Sequence, residues 1–412
     1  MAITFKRHRF ANGLRLIIHR DTTTPLVSCN IVYDVGSRDE NPDATGMAHL
    51  FEHFMFCGSK NIAEYDKNLQ KVGGINNAYT SQDITHYYTV LPAANLEMAL
   101  WLESDRMCEL AFKEEQLQIQ KQVVMEEFKE HYLNRPFGDL WMQFNGLVYQ
   151  KHPYQWLPIG KELAHIEKMD MEMMKRFYDR FYRPDNAVLV ISGNVVEEEV
   201  IALVEKWFGD IPSGESHLKN YPKEPEQNEK RTQILTADYP HELILKGWKI
   251  CDRRNPQFYA YDLFSELLGS GRSSYLHKKF VIEDPVFTQV SCQISATSDP
   301  GTLVIIAIPN ENIPAKTAQA KLNDFIYNFD FGDSLSYQLQ KVKNKVESVL
   351  LNNEIKVEDR SVILAVTETI SSVEEFEDEK EHYFAVSEED ILHLKDDLLR
   401  EEKSCNLVYA LR

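Results

Sequence analysis

Apolar and polar residues alternate along the first segments of the chain, and this period of two predicts β-strands. The runs at residues 3–10 and 14–20 are joined by Ala-Asn-Gly, which is typical of a hairpin turn, and a third run follows at 26–37. The remaining strand-like runs lie at 73–81, 85–92, 186–193, 241–250, 285–296, 301–309 and 404–411.

Between these runs the apolar residues recur every three or four positions, which predicts helices. The predicted helices are a short one around His49, then 64–72, 93–107, 113–134, 196–209, 257–268 and much of 316–399. The second half thus repeats the order of elements of the first half without close sequence similarity. We expect an α+β protein of two similar domains, each a mostly antiparallel sheet with helices packed on one face.

A polar segment with two prolines, SGESHLKNYPKEPEQNEKRT, interrupts both periodicities near the middle of the chain. The 412 residues exceed what one ordinary core holds, so two domains of roughly 200 residues are expected. We therefore predict an N-terminal domain over 1–215, a linker over 216–232 and a C-terminal domain over 233–412.

The composition narrows the classes of partner. A formal net charge of -19 argues against nucleic acid and anionic membranes, because phosphate binding needs a basic surface. The 6 cysteines are scattered without a CxxC pair, which suits a reducing compartment. No run is long enough for a membrane span, and the N-terminus does not resemble a signal peptide. The expected location is cytoplasmic, or periplasmic if a signal segment has been removed.

One short apolar helix carries polar residues that need partners. In GMAHLFEHFMFCGS, residues 46–59, His49 and His53 stand four apart on one helix face, and Glu52 lies close to that face. Zinc binds imidazole nitrogens and carboxylate oxygens, and the order HxxEH is the inverzincin pattern. The alternative is a pair of core histidines. Burying these groups without a metal or partners would be costly, which favours zinc.

A third protein ligand must come from another element. The helix EEQLQIQKQVVMEEFKEHYLNRP is the candidate, and we take Val123, Val124 and Phe128 to mark its inward face. Glu127 lies on that face, four residues after Val123 and three after Val124. Glu126 is less well placed but stays open as the third ligand. The alternative for both is an exposed acidic pair.

Several stretches together resemble one known family. They are GMAHLFEHFMFCGS, VGGINNAYTSQDITHYYTVLP, KQVVMEEFKEHY, HPYQWLPIG and FYRPDNAVLVISGNV. With them the chain resembles the pitrilysin-family zinc metallopeptidases, of the smaller type related to the mitochondrial processing peptidase β subunit and its bacterial relatives. The resemblance covers almost the whole chain, and it implies the processing-peptidase-like fold of two similar units.

The resemblance also implies a metal site and a catalytic base. His49, His53 and Glu127 would hold one zinc ion per chain, and Glu52 would be the general base toward a zinc-bound water. The implied activity is that of a zinc metalloendopeptidase.

In the resembled family the strand after the Gly-Gly motif is a sheet edge, and the substrate adds to it as an extra strand. In this sequence that strand contains Asn77 and Ala78, which would make the backbone contacts. Main-chain pairing gives affinity with little demand on sequence. The implied substrates are therefore peptides or unfolded polypeptide segments.

The chain departs from the family pattern at two places. Where active relatives usually have a second glutamate, this chain has Gln120, which would lie beside the ligands and tune the site. Where they have an arginine and a tyrosine seven residues apart, it has Val281 and Thr288, which cannot replace them. Arg272 and Tyr275 lie nearby but at the wrong spacing. We infer a homologous partner subunit that supplies the pair, with a homodimer as the other possibility.

A different reading is a catalytically silent structural or interaction subunit of the same fold. Such members typically have an eroded HxxEH motif, whereas the motif is intact here. The sequence therefore favours the enzyme.

Overall fold

A computed structural model describes residues 3–214, 219–374 and 378–412 of the chain. The predicted end of the N-terminal domain at residue 215 and the first residues of the predicted linker, 216–218, lie outside the described residues. The prediction of an α+β fold with two mostly antiparallel sheets is confirmed.

The first sheet has six strands in the order β1-β2-β6-β3-β5-β4. Its strands are β1 Lys6–Arg9, β2 Arg15–Arg20, β3 Leu26–Tyr33, β4 Ile75–Thr80, β5 Thr85–Pro92 and β6 Ala187–Gly193. Among the described strands of this sheet, the β2–β6 pair alone is parallel. Strand β4 pairs with β5 and is an outermost strand of the sheet.

The second sheet has five strands in the order β7-β11-β8-β10-β9, with one parallel pair, β7–β11. Its strands are β7 Arg231–Ala237, β8 Leu243–Lys249, β9 Phe287–Ile294, β10 Thr302–Pro309 and β11 Cys405–Leu411. Strand β7 is not among the strands that the alternation predicts. It is an edge strand whose residues are all half-buried or exposed, so the apolar signal of Arg-Thr-Gln-Ile-Leu-Thr-Ala is weak.

The described helices of the first half are α1 Met47–Phe54, α2 Tyr65–Lys71, α3 Leu96–Cys108, α4 Glu114–Phe128, α5 Leu140–Val148, α6 Leu163–Lys168, α7 Met171–Phe181 and α8 Glu197–Phe208. Those of the second half are α9 Phe258–Gly269, α10 Tyr275–His277, α11 Ala315–Asn328, α12 Leu335–Asn353, α13 Val357–Ile370, α14 Glu379–Ala385 and α15 Glu388–Leu398. No helix in the described part of the chain combines the length and apolar character that a membrane crossing requires.

The chain forms two compact units that interleave along the sequence. One unit comprises Met1–Glu130, Trp156–Tyr221 and Leu351–Glu377, and the other comprises His131–Gln155, Pro222–Leu350 and Asp378–Arg412. The predicted division into 1–215 and 233–412 is an uninterrupted one, and it stays a prediction.

The unit of the first sheet includes a helix from the second half of the sequence. Strand β3 is buried along most of its length because α13 packs on β3 and β6. The Ser361 hydroxyl of α13 lies 2.7 Å from the Ser28 hydroxyl and accepts a hydrogen bond from Asn30 at 3.0 Å. Leu364 of α13 joins a buried cluster with Val32 of β3. The periodicity of α13 predicts a helix but does not say which sheet it covers.

The unit of the second sheet likewise includes a helix from the first half of the sequence, α5. Phe144 of α5 packs in a buried cluster with Leu245 of β8 and Leu407 of β11. Strand β8 also contributes Trp248 to a second cluster, which includes Leu263 of α9. Since neighbouring strand residues point to opposite faces, β8 is covered on both of its faces.

Candidate metal centre

Helix α1 is amphipathic, and its buried side anchors it in the first unit. Its buried residues are Met47, Ala48, Leu50, Phe51 and Phe54. The ring of Phe51 lies 4.4 Å from that of Tyr182, between ring centroids. The remaining face carries His49, Glu52 and His53, all half-buried. The apolar residues therefore fix the helix, and the three polar residues share the side that is left.

A buried carboxylate holds the start of α1. Glu40 accepts hydrogen bonds from the backbone N–H groups of Gly46 at 2.9 Å and Ala48 at 2.8 Å, and from the Trp156 indole at 3.0 Å. Burial raises the pKa of Glu40 to about 8, and the three N–H donors act in the opposite direction. Glu40 thus satisfies amide groups that a helix leaves unpaired at its N-terminus.

Two glycines let a later loop pack against this helix start. Gly46 has a φ of +94°, and a Cβ there would lie 2.9 Å from the Ile159 carbonyl. A Cβ at Gly160 would lie 2.8 Å from the Thr45 carbonyl. The Lys161 amide donates to the Thr45 hydroxyl at 2.8 Å. The stretch HPYQWLPIG has no chemistry deducible from sequence, but its last five residues therefore help to position helix α1.

Three potential metal ligands converge beside α1. The Nε2 atoms of His49 and His53 lie 3.3 Å apart. Glu127 of α4, which packs on α1, places Oε2 3.8 Å from Nε2 of His49 and 3.6 Å from Nε2 of His53. Within residues 3–214, 219–374 and 378–412, this is the one group of three or more metal-binding side chains with all ligand atoms within 4.8 Å.

These donors fit a zinc ion. Zinc binds nitrogen and oxygen ligands tetrahedrally at about 2.0–2.2 Å, which separates neighbouring ligand atoms by roughly 3.3–3.6 Å. The separations here are 3.3, 3.6 and 3.8 Å. Two imidazoles and one carboxylate also leave a fourth position for a water or a substrate atom, as a catalytic zinc site requires.

The two neighbouring glutamates of α4 have different surroundings. The Glu127 side chain faces the histidines, whereas that of Glu126 is 72% exposed and pairs with Lys129 at 2.7 Å. The expectation that Val123 marks the inward face is wrong, because Val123 is 39% exposed. The buried stripe of α4 instead consists of Leu117, Lys121, Val124 and Phe128. Glu127 follows Val124 by three residues and lies at the margin of this stripe.

His49 is prepared to bind a metal as a neutral imidazole. Burial, with a smaller effect of His53, lowers the pKa of His49 to about 3. Its Nε2 therefore keeps a lone pair for a metal at neutral pH. Nδ1 of His49 is buried, and within the described chain it has no hydrogen-bond partner. The ring of His49 is thus oriented by packing rather than by a hydrogen bond at its second nitrogen.

Glu52 is held by a residue that the sequence did not single out. The Thr80 hydroxyl donates to Oε2 of Glu52 at 2.5 Å. Burial raises the pKa of Glu52 to about 7, the Thr80 hydrogen bond lowers it, and the Glu127 carboxylate raises it further. A carboxyl group whose pKa lies near neutrality suits proton transfer at physiological pH.

Asn77 and Ala78 lie on β4, at the edge of the first sheet. The residues of β4 alternate between exposed and half-buried, with Ile75, Asn77 and Tyr79 on the exposed side. The Ala78 N–H donates to Oδ1 of the Asn77 side chain at 2.9 Å. This amide of the outermost strand is therefore bonded to a side chain of the same strand.

Gln120 lies seven residues before Glu127 on α4, and its side chain hydrogen-bonds the Cys57 thiol. Cys57 follows His53 by four residues and contacts the His53 carbonyl at 3.7 Å. Burial raises the pKa of Cys57 to about 11, so the thiol is neutral at physiological pH. Gln120 is thereby linked to the segment that carries the histidines, rather than to their ring nitrogens.

In the other unit, the residues that we expect at the positions of the family arginine and tyrosine serve packing and backbone contacts. Val281 is partly buried against the core, and the Thr288 hydroxyl donates to the Ile308 carbonyl at 3.2 Å. Tyr275 donates to the Phe331 carbonyl at 3.1 Å. None of these three side chains offers a cation.

Comparisons with known proteins agree that the similar proteins are peptidases. Residues 15–136 match the family model described as insulinase (peptidase family M16), and residues 168–329 match the one described as the peptidase M16 inactive domain. The zinc protease PqqE of Helicobacter pylori (strain ATCC 700392 / 26695) is 31% identical over 83% of this chain and 78% of its own length. The probable mitochondrial-processing peptidase subunit beta of Arabidopsis thaliana is 25% identical over 63% of this chain and 49% of its own length. The crystal structure of a protease from Helicobacter pylori matches with a TM-score of 0.91 and 27% identity, over 98% of this chain and 99% of that chain.

Proposed function

Because the chain belongs to the M16 family of insulinase- and pitrilysin-like peptidases, we propose that it is the zinc-bearing subunit of an endopeptidase. Its substrates would be peptides or unfolded polypeptide segments. The observation that carries the proposal is the convergence of His49, His53 and Glu127 beside Glu52, on two helices that pack together.

The residues of this chain would have separate roles in the reaction. His49, His53 and Glu127 would hold one zinc ion, which when bound supplies a Lewis acid that polarises the scissile carbonyl and acidifies a water. Glu52 takes the proton of the attacking water and passes it to the leaving amine. Gln120 acts on the site through Cys57 and the helix end that follows His53.

The substrate would bind along β4. An outermost strand has backbone groups on its open side that can pair with an extended peptide. Asn77 and Ala78 would make these contacts, and binding would replace the Asn77 oxygen on the Ala78 amide by a substrate carbonyl. This mode selects extended chains and places few demands on side chains.

The catalytic constellation would be completed by a second chain. Val281 and Thr288 stand where active relatives carry an arginine and a tyrosine, and neither can donate charge-assisted hydrogen bonds to a developing oxyanion. We therefore propose a homologous partner subunit that supplies this pair, with a homodimer as the alternative. The location, cytoplasmic or periplasmic, also stays a prediction.

The test combines metal analysis with peptide digestion. The purified chain should contain about one zinc per chain and cleave an extended peptide slowly. Addition of a homologue that carries the arginine and tyrosine should raise the rate. Glu52→Gln should keep the zinc and remove most of that activity, by about a hundredfold or more, because the proton acceptor is lost. Undiminished activity of Glu52→Gln would contradict the proposal.

A gain-of-function variant tests the partner requirement separately. Val281→Arg combined with Thr288→Tyr should make the isolated chain more active if the missing pair is what limits it. Full activity of the unmodified chain alone, undiminished on dilution, would rule out the requirement. A catalytically silent subunit, the alternative function, would show no change with Glu52→Gln even when the homologue is present.

A further inference from the structure

The proposed mechanism leaves open what fixes the orientation of the base. Glu52 has two carboxylate oxygens, and only one can face an attacking water. Oε2 accepts the Thr80 hydroxyl at 2.5 Å, which lies in the range of a short charge-assisted O–H···O⁻ bond. Within the described residues this is the one hydrogen bond made by the Glu52 side chain. Oε1 is therefore the oxygen left for a proton acceptor.

The position of Thr80 is fixed by the hairpin to which it belongs. Thr80 ends β4 and pairs with Thr85 of β5, whose hydroxyl donates to the Val35 carbonyl at 2.9 Å. In the turn between them, the Ser81 hydroxyl accepts the amides of Asp83 at 3.1 Å and Ile84 at 3.0 Å. A β-branched threonine on a strand also has restricted rotation about χ1. The Thr80 hydroxyl is thus held in position by the hydrogen-bonded hairpin of β4 and β5.

The same strand would carry the substrate. The half-buried residues of β4 alternate with its exposed ones, so Thr80 lies on the face that meets α1, two residues after Ala78. A peptide that pairs with the open edge of β4 would sit on the strand that holds Glu52. The position of the substrate and the orientation of the base would then be set by one element.

We propose that Thr80 is a positioning residue, which orients the Glu52 carboxylate toward the attacking water and ties that orientation to the substrate-binding strand. The inference rests on the proposed function. Thr80 acts through Glu52 and does not touch the reacting atoms. It should therefore affect the rate of the chemical step and leave zinc binding and substrate affinity nearly unchanged.

The experiment compares three variants in the complex with the homologous partner. Thr80→Val keeps the shape and removes the donor. Thr80→Ser keeps the donor and loses the χ1 restriction. Thr23→Val is the matched control, because the Thr23 hydroxyl also donates to a carboxylate, that of Asp21 at 2.6 Å, outside β4 and α1.

For Thr80→Val we expect kcat to fall by about tenfold or more, with KM within about twofold of the original and zinc content unchanged. Thr80→Ser should recover most of the loss, and Thr23→Val should leave kcat and KM as they are. A kcat for Thr80→Val within about twofold of the original would overturn the inference. So would a loss that Thr80→Ser does not relieve, or one that Thr23→Val shares.

The rotamer of Glu52 in a variant structure tests the role of Thr80 independently of activity. A crystal structure of Thr80→Val should show the Glu52 side chain in a different rotamer or in several, with the zinc ligands unmoved. An unchanged, single Glu52 rotamer would overturn the inference. If Glu52→Gln has no effect on activity, the proposed function fails. If Glu52→Gln is inactive and Thr80→Val is not, only the role of Thr80 fails.

Discussion

At the residue scale, one position on a helix separates two glutamates of the same chemistry. Glu127 and Glu126 are adjacent on α4, yet the first faces two imidazoles and the second pairs with Lys129 in solvent. Adjacent helical residues point about a hundred degrees apart, so neighbours cannot share a site on the next helix. The proposed third ligand is thereby distinguished from its neighbour by direction alone.

This pair gives a prediction with its own control. Glu127→Gln should weaken zinc binding by roughly a hundredfold or more, because an amide is a much poorer ligand than a carboxylate and even indirect changes to zinc sites cost tenfold or more. Glu126→Gln should change it by less than about twofold, since it loses a surface pair of little energetic value. Competition with a chelator measures both. Equal affinities for the two variants would contradict the assignment of Glu127.

At the element scale, the first sheet has one edge that is open, at β4, and one face that is covered, by α13. Among the described strands, none pairs with the open side of β4, which leaves that side for an added strand. The face of β3 that carries Ser28 and Asn30 is closed by α13 through hydrogen bonds to Ser361. Binding would use the first of these surfaces, and stability depends on the second.

The open edge can be tested by removing one amide. Ala78→Pro deletes the N–H that donates to the Asn77 side chain. Proline is tolerated on an edge strand where the N–H faces away from the sheet. We expect KM for an extended peptide to rise by about tenfold with zinc content unchanged. An unaltered KM in a folded, zinc-loaded variant would exclude strand addition at this residue.

The docking of α13 predicts a pH dependence of stability. Asp21 is buried, which by itself raises its pKa, but hydrogen bonds from Thr23 and the Arg360 guanidinium of α13 lower it to about 2. A carboxyl group with a lowered folded-state pKa contributes stability that is present above about pH 4 and is lost as the pH falls toward 2.

Asp21→Asn should therefore lower the free energy of unfolding at neutral pH by about 1 kcal/mol, after allowance for solvent screening. The difference from the original protein should shrink between about pH 4 and pH 2. Urea unfolding over a pH series measures it, with the exposed Asp43→Asn as the control. A difference that does not vary with pH would show that the ion pair with α13 does not titrate in this range.

At the scale of the whole molecule, each compact unit contains a helix from the other half of the sequence. Helix α13 follows residue 350 but belongs to the unit of the first sheet, and α5 precedes residue 150 but belongs to the unit of the second. The polar segment between the halves is therefore not a place where the chain can be cut without exposing apolar surface.

Expression of the two halves as separate fragments tests whether the first unit needs the helix from the second half. The fragment 1–230 lacks α13 and should expose Ile17, Val32, Val188 and Val190, which are buried together with Leu364 in the described structure. We expect it to aggregate or to bind a hydrophobic dye when expressed alone. Co-expression with the fragment 231–412 should restore a soluble complex. Cooperative unfolding of fragment 1–230 alone would contradict this expectation.

Much of the fold and of the candidate site could be predicted from sequence, because the signals were local. The alternation in Ile75–Thr80 and the spacing of His49 and His53 are properties of one element. What could not be predicted depends on tertiary packing. Thr80 contacts Glu52 although it lies 28 positions later in the sequence. The sequence predicts that Val123 is a core residue. Which residues of α4 are buried, however, depends on how the helix packs against its neighbours.

The start of α1 is held by Glu40, to which Trp156 donates, and it packs against Gly160. These contacts also affect the order of events during synthesis and folding. Contacts between segments more than a hundred residues apart form only after both have left the ribosome. Helix α1 is therefore translated long before its contacts with the segment of Trp156 and Gly160 can form. A nascent chain holds both histidines before these contacts fix their positions, so capture of the proposed zinc ion would follow folding of the first unit. The endopeptidase proposed above would in this way be inert while it is itself unfolded.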